Sequence, residues 1–552
     1  MYNNKDNKGV NMKKITTSII TTIALSILIG CGGGDSSTSE HTSSATISDS
    51  NIAGLDYITN SGISGVTDSS GKFVFKVADS SVTFKLGELT IGTFNLHNLK
   101  SDKTVLVGEL FGLDRNNNTD PRLLKTIRLL QSLDNDNNPN NGIQISDAVK
   151  DKISDLIDTN TSINKNLIDN DIDTIKFIVT NQHKNFILEK DARKHYEKTL
   201  LAKGIQPKIK QLPFTFVCRV GGFQDKNITI DTLPQYKYLW NNEDYNYTVD
   251  WGDGTIDKDL NDTKTHVYKR YSLVTIKITG KFPHFYLGSD DLEQIEEISQ
   301  WGDIKWKSFI SSFAKTPKLK ITATDTPDLS ECKSLRAMFH NSNFTSNSTI
   351  NDWNTSNITD MHDTFAGAIN FNQPLDKWDT SNVTDMSSMF YNAKSFNQNI
   401  NSWNVSNVTN MKYMFYQATN FNQPLDKWDT SNVTTMLGMF NEASSFNQNI
   451  DTWNVSKVTN MYQMFSNATA FNQPLNDWNV SNVKDMSYMF NYATSFNQPL
   501  NKWDTSSVTK MNGMFYSAKS FSQDLSMWNV DNVSSHNLFS NGAGNLTEPN
   551  WK

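Results

Sequence analysis

Two acidic, asparagine-rich loops are the stretches best supplied with ligating oxygens: Asp114, Asn116, Asn118 and Asp120 in the first, and Asp134, Asp136 and Asn138, followed by Gly142, in the second. Oxygens at alternate positions are what a hard cation needs, so calcium is the ion this spacing suits. Neither loop completes a twelve-residue EF-hand, because the sixth-position glycine and the closing glutamate are missing. Plain solvated turns are the competing reading, and no other cofactor is indicated. The nine histidines are scattered. There is no His-Glu-x-x-His, no Gly-x-Ser-x-Gly and no phosphate loop, so the chain is expected not to be an enzyme.

A second set of polar residues recurs at a fixed step of 25: Asn354, Asp379, Asn404, Asp429, Asn454, Asn479, Asp504 and Asn529. Each lies between a Trp and a Thr or Val, so an extended segment that turns those two inward turns this column outward. Asp379, Asp429 and Asp504, with Asn404, Asn454 and Asn479, are therefore the candidate binding residues. No two Asp fall in adjacent units, which avoids like charges at roughly 5 Å. The Asn-Val-Ser and Asn-Val-Thr triplets match the N-glycosylation pattern, but read better as turn and cap residues.

Near the N-terminus, Met12, Lys13 and Lys14 precede an uncharged apolar run, Ile15 to Ile29. It is too short for a mature membrane span and the right size for a signal-peptide core. The run ends Leu28, Ile29, Gly30, Cys31, which resembles the lipobox of bacterial lipoproteins. That resemblance implies that the Cys31 thiol takes a diacylglycerol and becomes the mature N-terminus, anchoring the protein in a membrane at the cell surface or outer membrane. The alternative is a generic export signal with a chance cysteine. The two remaining cysteines, Cys218 and Cys332, could pair or stay as separate buried thiols.

The elements that must position these residues divide a long chain. At 552 residues it suggests three or four folding units. Its 51 basic and 58 acidic residues leave a net charge of −7, which offers no broad field for phosphate backbones and argues against nucleic acid as a partner. After a signal peptide at 1–31, the Gly- and Ser-rich 32–50 reads as a flexible tether. Turn signals around Phe73, Val74 and Phe75, and around Val82, Thr83 and Phe84, predict a small β module over 51–103. Leu123, Ile127, Leu130 and Leu133 share one face and open a helical spacer over 104–208. Within 209–290, the run Tyr247 to Gly254, then His266-Val267-Tyr268 and Val274 to Ile278, resembles a polycystic-kidney-disease (PKD) type domain. That resemblance implies an immunoglobulin-like sandwich, with Trp251 where the family has Phe.

Tryptophan marks the period of the second half: Trp353, Trp378, Trp403, Trp428, Trp453, Trp478, Trp503 and Trp528 are each 25 apart. Repeats of this length predict a solenoid, with a lead-in cap over 291–345, repeats over 346–540 and a tail at 541–552. Trp at one position of every rung reads as packing, with a sugar-stacking platform as the minor alternative. Val383, Met386, Phe390 and Ala393 predict one apolar helical face per rung. Asn372 and its equivalents Asn397, Asn422, Asn447, Asn472 and Asn497 predict a hydrogen-bonded ladder between rungs. The spacing Leu375-x-x-Trp378-x-Thr380-x-x-Val383 resembles that of leucine-rich repeats. The whole unit is similar to the 25-residue subtype of BspA-type leucine-rich-repeat surface proteins, also abundant as Mycoplasma lipoproteins, over about 320–540. Register breaks at both ends, where His340 and His536 stand out of pattern, as caps do.

The chain is thus expected to be multidomain: a β-rich N-terminal module and helical spacer, a PKD-like sandwich, then an α/β leucine-rich-repeat-like solenoid. The function expected of it is that of an adhesin-like lipoprotein, binding extracellular protein or glycan on host or neighbouring cells through an extended repeat face. Alternatives are a structural or decoy surface-layer protein without a single ligand, and a glycan-binding accessory protein.

Overall fold

The computed structural model describes residues 41–552 apart from 188, 209–210, 221–225, 234–243, 271, 289–290 and 344–348. Cys31 and the signal segment lie outside the described residues. Among the described residues no helix is long and apolar enough to cross a membrane. The molecule is β-rich, with several sheets, few helices and a repeating C-terminal region.

Short alternating runs form strands at Thr42–Ser48 (β1), Ile52–Ala53 (β2), Asp56–Thr59 (β3), Ser64–Val66 (β4), Lys72–Lys76 (β5), Ser81–Leu86 (β6), Leu89–Asn95 (β7), Thr104–Leu106 (β8) and Ile143–Gln144 (β9). They make a β5-β1-β8 sheet, a β4-β3-β6-β7 sheet and a β2-β9 pair. Four helices accompany them: Pro121–Ser132 (α1), Asp147–Thr159 (α2), Ile172–Asn181 (α3) and Glu189–Ala202 (α4). Asp120 caps α1 by accepting from the Arg122 N–H at 2.9 Å, and Pro121 suits the first turn. The face predicted from Leu123, Ile127, Leu130 and Leu133 is fully buried.

Two expected boundaries shift. Residues 42–48 are not tether but the central strand of a sheet, because Ala45 and Ile47 alternate inward among the serines and threonines. Nor is 104–208 a separate spacer. β8 pairs with β1, β9 pairs with β2, and one hydrophobic core runs from Ala45 to Leu200. Two- and three-residue strands carry too little pattern to be read within a helical stretch.

Asp49, just after β1, is fully buried, accepts from Gln131 Nε2 at 2.6 Å and stands 3.8 Å from His195 Nε2. Burial pushes its carboxyl up to about 7 and lowers the His195 imidazole, so the interior favours the uncharged form of each. The unfolded chain ionises Asp49 near pH 4 and the folded chain only near 7. Stability is therefore full below that interval and is lost as pH rises through it. Asp49→Asn keeps an acceptor for Gln131. It should stabilise this region at pH 8, by at most about 4 kcal/mol, and have little effect at pH 4. Calorimetric scans at the two pH values check this; equal effects at both would rule out ionisation as the cause.

The next strands are Phe214–Val220 (β10), Lys226–Ile230 (β11), Asn246–Asp250 (β12), Ile256–Leu260 (β13), Lys264–Tyr268 (β14), Ser272–Lys281 (β15), Ile295–Gln300 (β16) and Lys320–Ile321 (β17). The order β13-β12-β15-β10-β16-β17 forms one sheet beside a β11-β14 ribbon. The Trp251-Gly252-Asp253-Gly254 turn is knit locally. Trp251 is buried, donates to Asp257 at 3.0 Å, stacks on His266 at 4.8 Å and offers its carbonyl to the Tyr268 hydroxyl at 2.8 Å. Gly252 has φ of 78°, and a Cβ there would come within 2.5 Å of the Thr275 carbonyl. Cys218 and Cys332 are two free, buried thiols, and burial pushes Cys332 up to about 12.

The expected boundary at 290 is also crossed. β16 pairs antiparallel with β10 and parallel with β17, so the sheet leads directly into the repeats. A single core then extends from Phe214 to Phe539. The N-terminal region docks on its first rungs through α3 and α4. Lys190 meets Asp328 at 2.6 Å, Lys176 meets Asp352 at 3.3 Å, and Arg193 bonds to Asp303.

Candidate binding surface

Each rung is a chain of tight turns rather than strand plus helix. In the rung beginning near Met386, the N–H groups of Met389, Tyr391 and Ala393 bond three residues back within the rung. Those of Met386, Ser388, Phe390 and Asn392 donate across to the carbonyls of Asn410, Lys412, Met414 and Tyr416, at 3.1, 2.8, 2.9 and 2.6 Å. An α-helix would consume these amides internally and leave none for the next rung. The expected helical face is corrected accordingly. Val383, Met386, Phe390 and Ala393 do share a buried face, but left-handed residues such as Ser388 (φ 53°) and Asn392 (φ 53°) re-aim the chain between turns.

The Trp-x-Thr/Val segment is likewise not a laddered strand. One isolated parallel bridge links successive rungs, running through Asp360, Asp385, Asn410, Thr435 and onward to Ser535. Along the Trp segment, side chains make the inter-rung bonds instead. Thr380 donates to the Asn404 carbonyl at 2.9 Å, and Asn382 to the Ser356 carbonyl at 2.7 Å. The alternation of burial survives, with Trp378 and Thr380 inside and Asp379 exposed.

Tryptophan is packing. Each ring is buried, and from Trp378 onward the indole N–H reaches the carbonyl of the preceding rung, Trp378 to Ile350 at 2.8 Å, Trp403 to Leu375 at 2.9 Å and Trp453 to Leu425 at 2.9 Å, whereas the indole N–H of Trp353 at the head of the column makes no such bond. Leucine could fill that space without satisfying the carbonyl. The asparagine ladder is present as well: Asn397 N donates to Asn372 Oδ1 at 2.9 Å, and the pattern continues through Asn422, Asn447, Asn472 and Asn497.

The two ends differ in kind. Phe339 stacks between Phe313 at 5.9 Å and Phe365 at 5.7 Å, so it occupies the true phenylalanine column and His340 is not a register break. The paired left-handed residues show why: they step by 26 from Ser311 to Ala337 to Asp363, and by 25 thereafter. At the far end Phe539 takes a methionine position and meets Phe515 edge-on. Residues 541–552 are no free tail. Thr547 bridges Asp524, and Trp551 stacks on His536 at 4.1 Å, covering the last rung.

All six candidate binding residues are brought into one exposed row. Each side chain also accepts from the N–H two residues on: Asp379, Asp429 and Asp504 from Ser381, Ser431 and Ser506 at 3.0 Å, and Asn404, Asn454 and Asn479 from Ser406, Ser456 and Ser481 at 3.1, 3.0 and 3.2 Å. These are Asx turns. The serine hydroxyl and amide hold the Asp429 and Asp504 carboxyls below their ordinary range. A carboxylate accepts at more than one lone pair, so the row retains capacity for a ligand.

The two candidate metal loops are not brought together; they flank α1, whose twelve residues span about 18 Å. Their groups bond within the protein. Asn118 donates to Glu197, Asp120 caps α1 and pairs with Arg122, and Asp134 accepts from Asn138 and Gln144 at 2.9 and 2.8 Å. Asp136 accepts from Asn138 and Asn141 at 2.9 and 2.7 Å. Asp114 and Asn116 lend backbone carbonyls to Asn117 and Lys208. Among the described residues no group of three or more His, Cys, Asp or Glu is placed to hold a metal ion.

Sequence reasoning missed a second surface. Arg336, His362 and Lys412 share one rung position, and Tyr391, Tyr413 and Tyr416 cluster beside it. These positions vary from rung to rung, so a search for what repeats passes over them. Reading down the columns for what differs was the available signal.

The geometry defines a repeat protein whose C-terminal region is one continuous stack of linked rungs. Residues 307–419, 398–487 and 449–551 of that region match a family described as "Mycoplasma protein of unknown function, DUF285". No curated protein and no solved structure matches the chain.

Proposed function

We propose that the chain is a lipoprotein anchored through Cys31 at the cell surface or outer membrane, where it acts as an adhesin-like binding protein. In this reading the stack is a leucine-rich-repeat-like solenoid of BspA type, and the region around Trp251 is a PKD-like sandwich that supports it. The observation that carries the reading is the exposed row of Asp379, Asp429 and Asp504 with their Asn counterparts, held at fixed intervals by Asx turns. At roughly 4.8 Å per rung the stack runs about 45 Å, long enough for a protein-sized partner. Many tethered copies on one membrane would add avidity. The match of the repeats to a Mycoplasma family supports a surface setting.

The test is the triple variant Asp379→Asn, Asp429→Asn, Asp504→Asn displayed on cells. Asparagine keeps every turn acceptor, whereas lysine would remove it. Adhesion to host or neighbouring cells should fall about tenfold or more, the equivalent of one lost charge-assisted contact, with melting unchanged. Cys31→Ala should release the protein from membranes without altering binding by the purified chain. Wild-type adhesion by the triple variant would remove the row from the binding surface.

A further inference from the structure

A shallow groove of about 430 Å³ opens on the repeat stack, lined by Arg336, His362, Ser387, Lys412 and Tyr413, with Asp385 and Asn410 beside them. Three of the four consecutive residues in one column, Arg336, His362, Ser387 and Lys412, are basic, on a chain whose net charge is −7. At roughly 5 Å per rung these cations fall within about 15 Å. Of the acidic groups near them Asp363 is charge-paired, whereas Asp360 and Asp385 bond neutral donors that fix their orientation and leave their charge in place. Asp385 accepts from the Ser387 N–H at 2.8 Å and from Asn410 Nδ2 at 3.1 Å, and Asp363 pairs with His362 at 3.0 Å. Arg336 and Lys412 have no ion-pair partner among the described residues. Lys412 instead hangs 5.1 Å from the centre of the Tyr413 ring.

Next to the cations lies an aromatic floor. Tyr391 and Tyr416 stack at 4.6 Å with planes 3° apart, and Tyr413 meets them edge-on at 6.5 and 5.7 Å. Tyr413 lies down on Gly438, where a Cβ would come within 2.4 Å of the ring; only glycine admits that pose. All three tyrosines are half-buried, so part of each ring stays open to solvent. Unpaired guanidinium and ammonium groups recognise a carboxylate or sulfate. An open aromatic ring, apolar on its face and polar at its hydroxyl, suits the C–H face of a pyranose.

We propose that this groove binds an acidic saccharide, its carboxylate or sulfate held by Arg336 and Lys412 and its ring laid against the face of Tyr413 that the Lys412 ammonium vacates as it turns to the anion. The inference deepens the binding-protein reading by naming a ligand class and a face distinct from the Asp379 row.

The test is titration calorimetry on the full chain in detergent with 3′-sialyllactose, a sulfated lactose and lactose itself. At least one acidic sugar should bind saturably and about tenfold or more tighter than lactose. Arg336→Gln with Lys412→Gln, and separately Tyr413→Ala, should each weaken it about tenfold, while Arg336→Lys with Lys412→Arg retains binding and Lys502→Gln is silent. Circular dichroism confirms that the variants are folded. The proposal is overturned if neither acidic sugar binds, if lactose binds equally well, if the glutamine pair binds as wild type, or if a polyglutamate peptide competes as strongly as the sugars. Failure of both acidic sugars to bind, with adhesion still dependent on the Asp379 row, would sink this inference alone; wild-type adhesion by the triple aspartate variant would sink the row and leave the groove standing.

Discussion

Trp453→Ala is expected to cost about 3 to 5 kcal/mol, felt first in the rungs on either side of it. Its ring is buried and stacked between Trp428 at 6.1 Å and Trp478 at 6.4 Å. Neighbours tied by bonds across every rung cannot collapse into the space the ring leaves. The substitution also strips the Leu425 carbonyl of its indole donor. Trp453→Phe separates the two contributions: it keeps most of the volume and loses the bond, for about 1 to 3 kcal/mol. Hydrogen exchange over residues 425–478 reads the result, since a linear stack opens locally before it unfolds as a whole. Unchanged protection in Trp453→Ala would mean that the column contributes nothing to cohesion.

Arg193→Met should also be severe, at about 3 kcal/mol, because it removes a buried cation from between two half-buried acids. The guanidinium is fully enclosed, bonding Glu197 on its own helix and Asp303 in the Trp301-Gly302-Asp303 turn. Asp303 in turn accepts from the Leu212 N–H at 2.6 Å. Burial raises the Glu197 carboxyl, an effect that Arg193 opposes. Removing the cation should therefore drive Glu197 towards protonation and loosen α4 from the first rungs. The measurement is protection of α4 amides and protease cleavage between α4 and β10. Adding Asp303→Asn and Glu197→Gln to the same chain should restore much of the loss, because the penalty is the unpaired charge rather than the missing contact.

Both effects bear on function in the same way. The proposed row can serve a partner only while its spacing is held, and it is held twice, by the bonds within the stack and by the N-terminal region docked against its first rungs. Deleting the N-terminal regions to test whether the repeats bind alone would strip β10 and β16 from the same sheet that receives β17. Point substitutions on the exposed faces are the cleaner probe.

The period, the buried columns and the asparagine ladder were all legible in the residues themselves. A position that must be Trp, Phe or Met in every rung can only face a shared interior, and a step of 25 requires one unit to lie on the next. The exposure of Asp379 and its equivalents followed from the same alternation. Local pattern could not decide where backbone hydrogen bonds go. Val383, Met386, Phe390 and Ala393 have helical spacing, yet inter-rung bonds compete for the same amides, and the stack wins because every rung adds another full set. Tertiary structure alone decided that Thr42–Ser48 is a central strand, that Phe339 keeps its column through a longer rung, and that β16 carries the sheet into the repeats. It also decided that Arg336, His362, Lys412 and Tyr413 meet. Residues a whole rung or more apart in sequence become neighbours only when the rungs stack, and no spacing rule marks positions whose identity the stack leaves free.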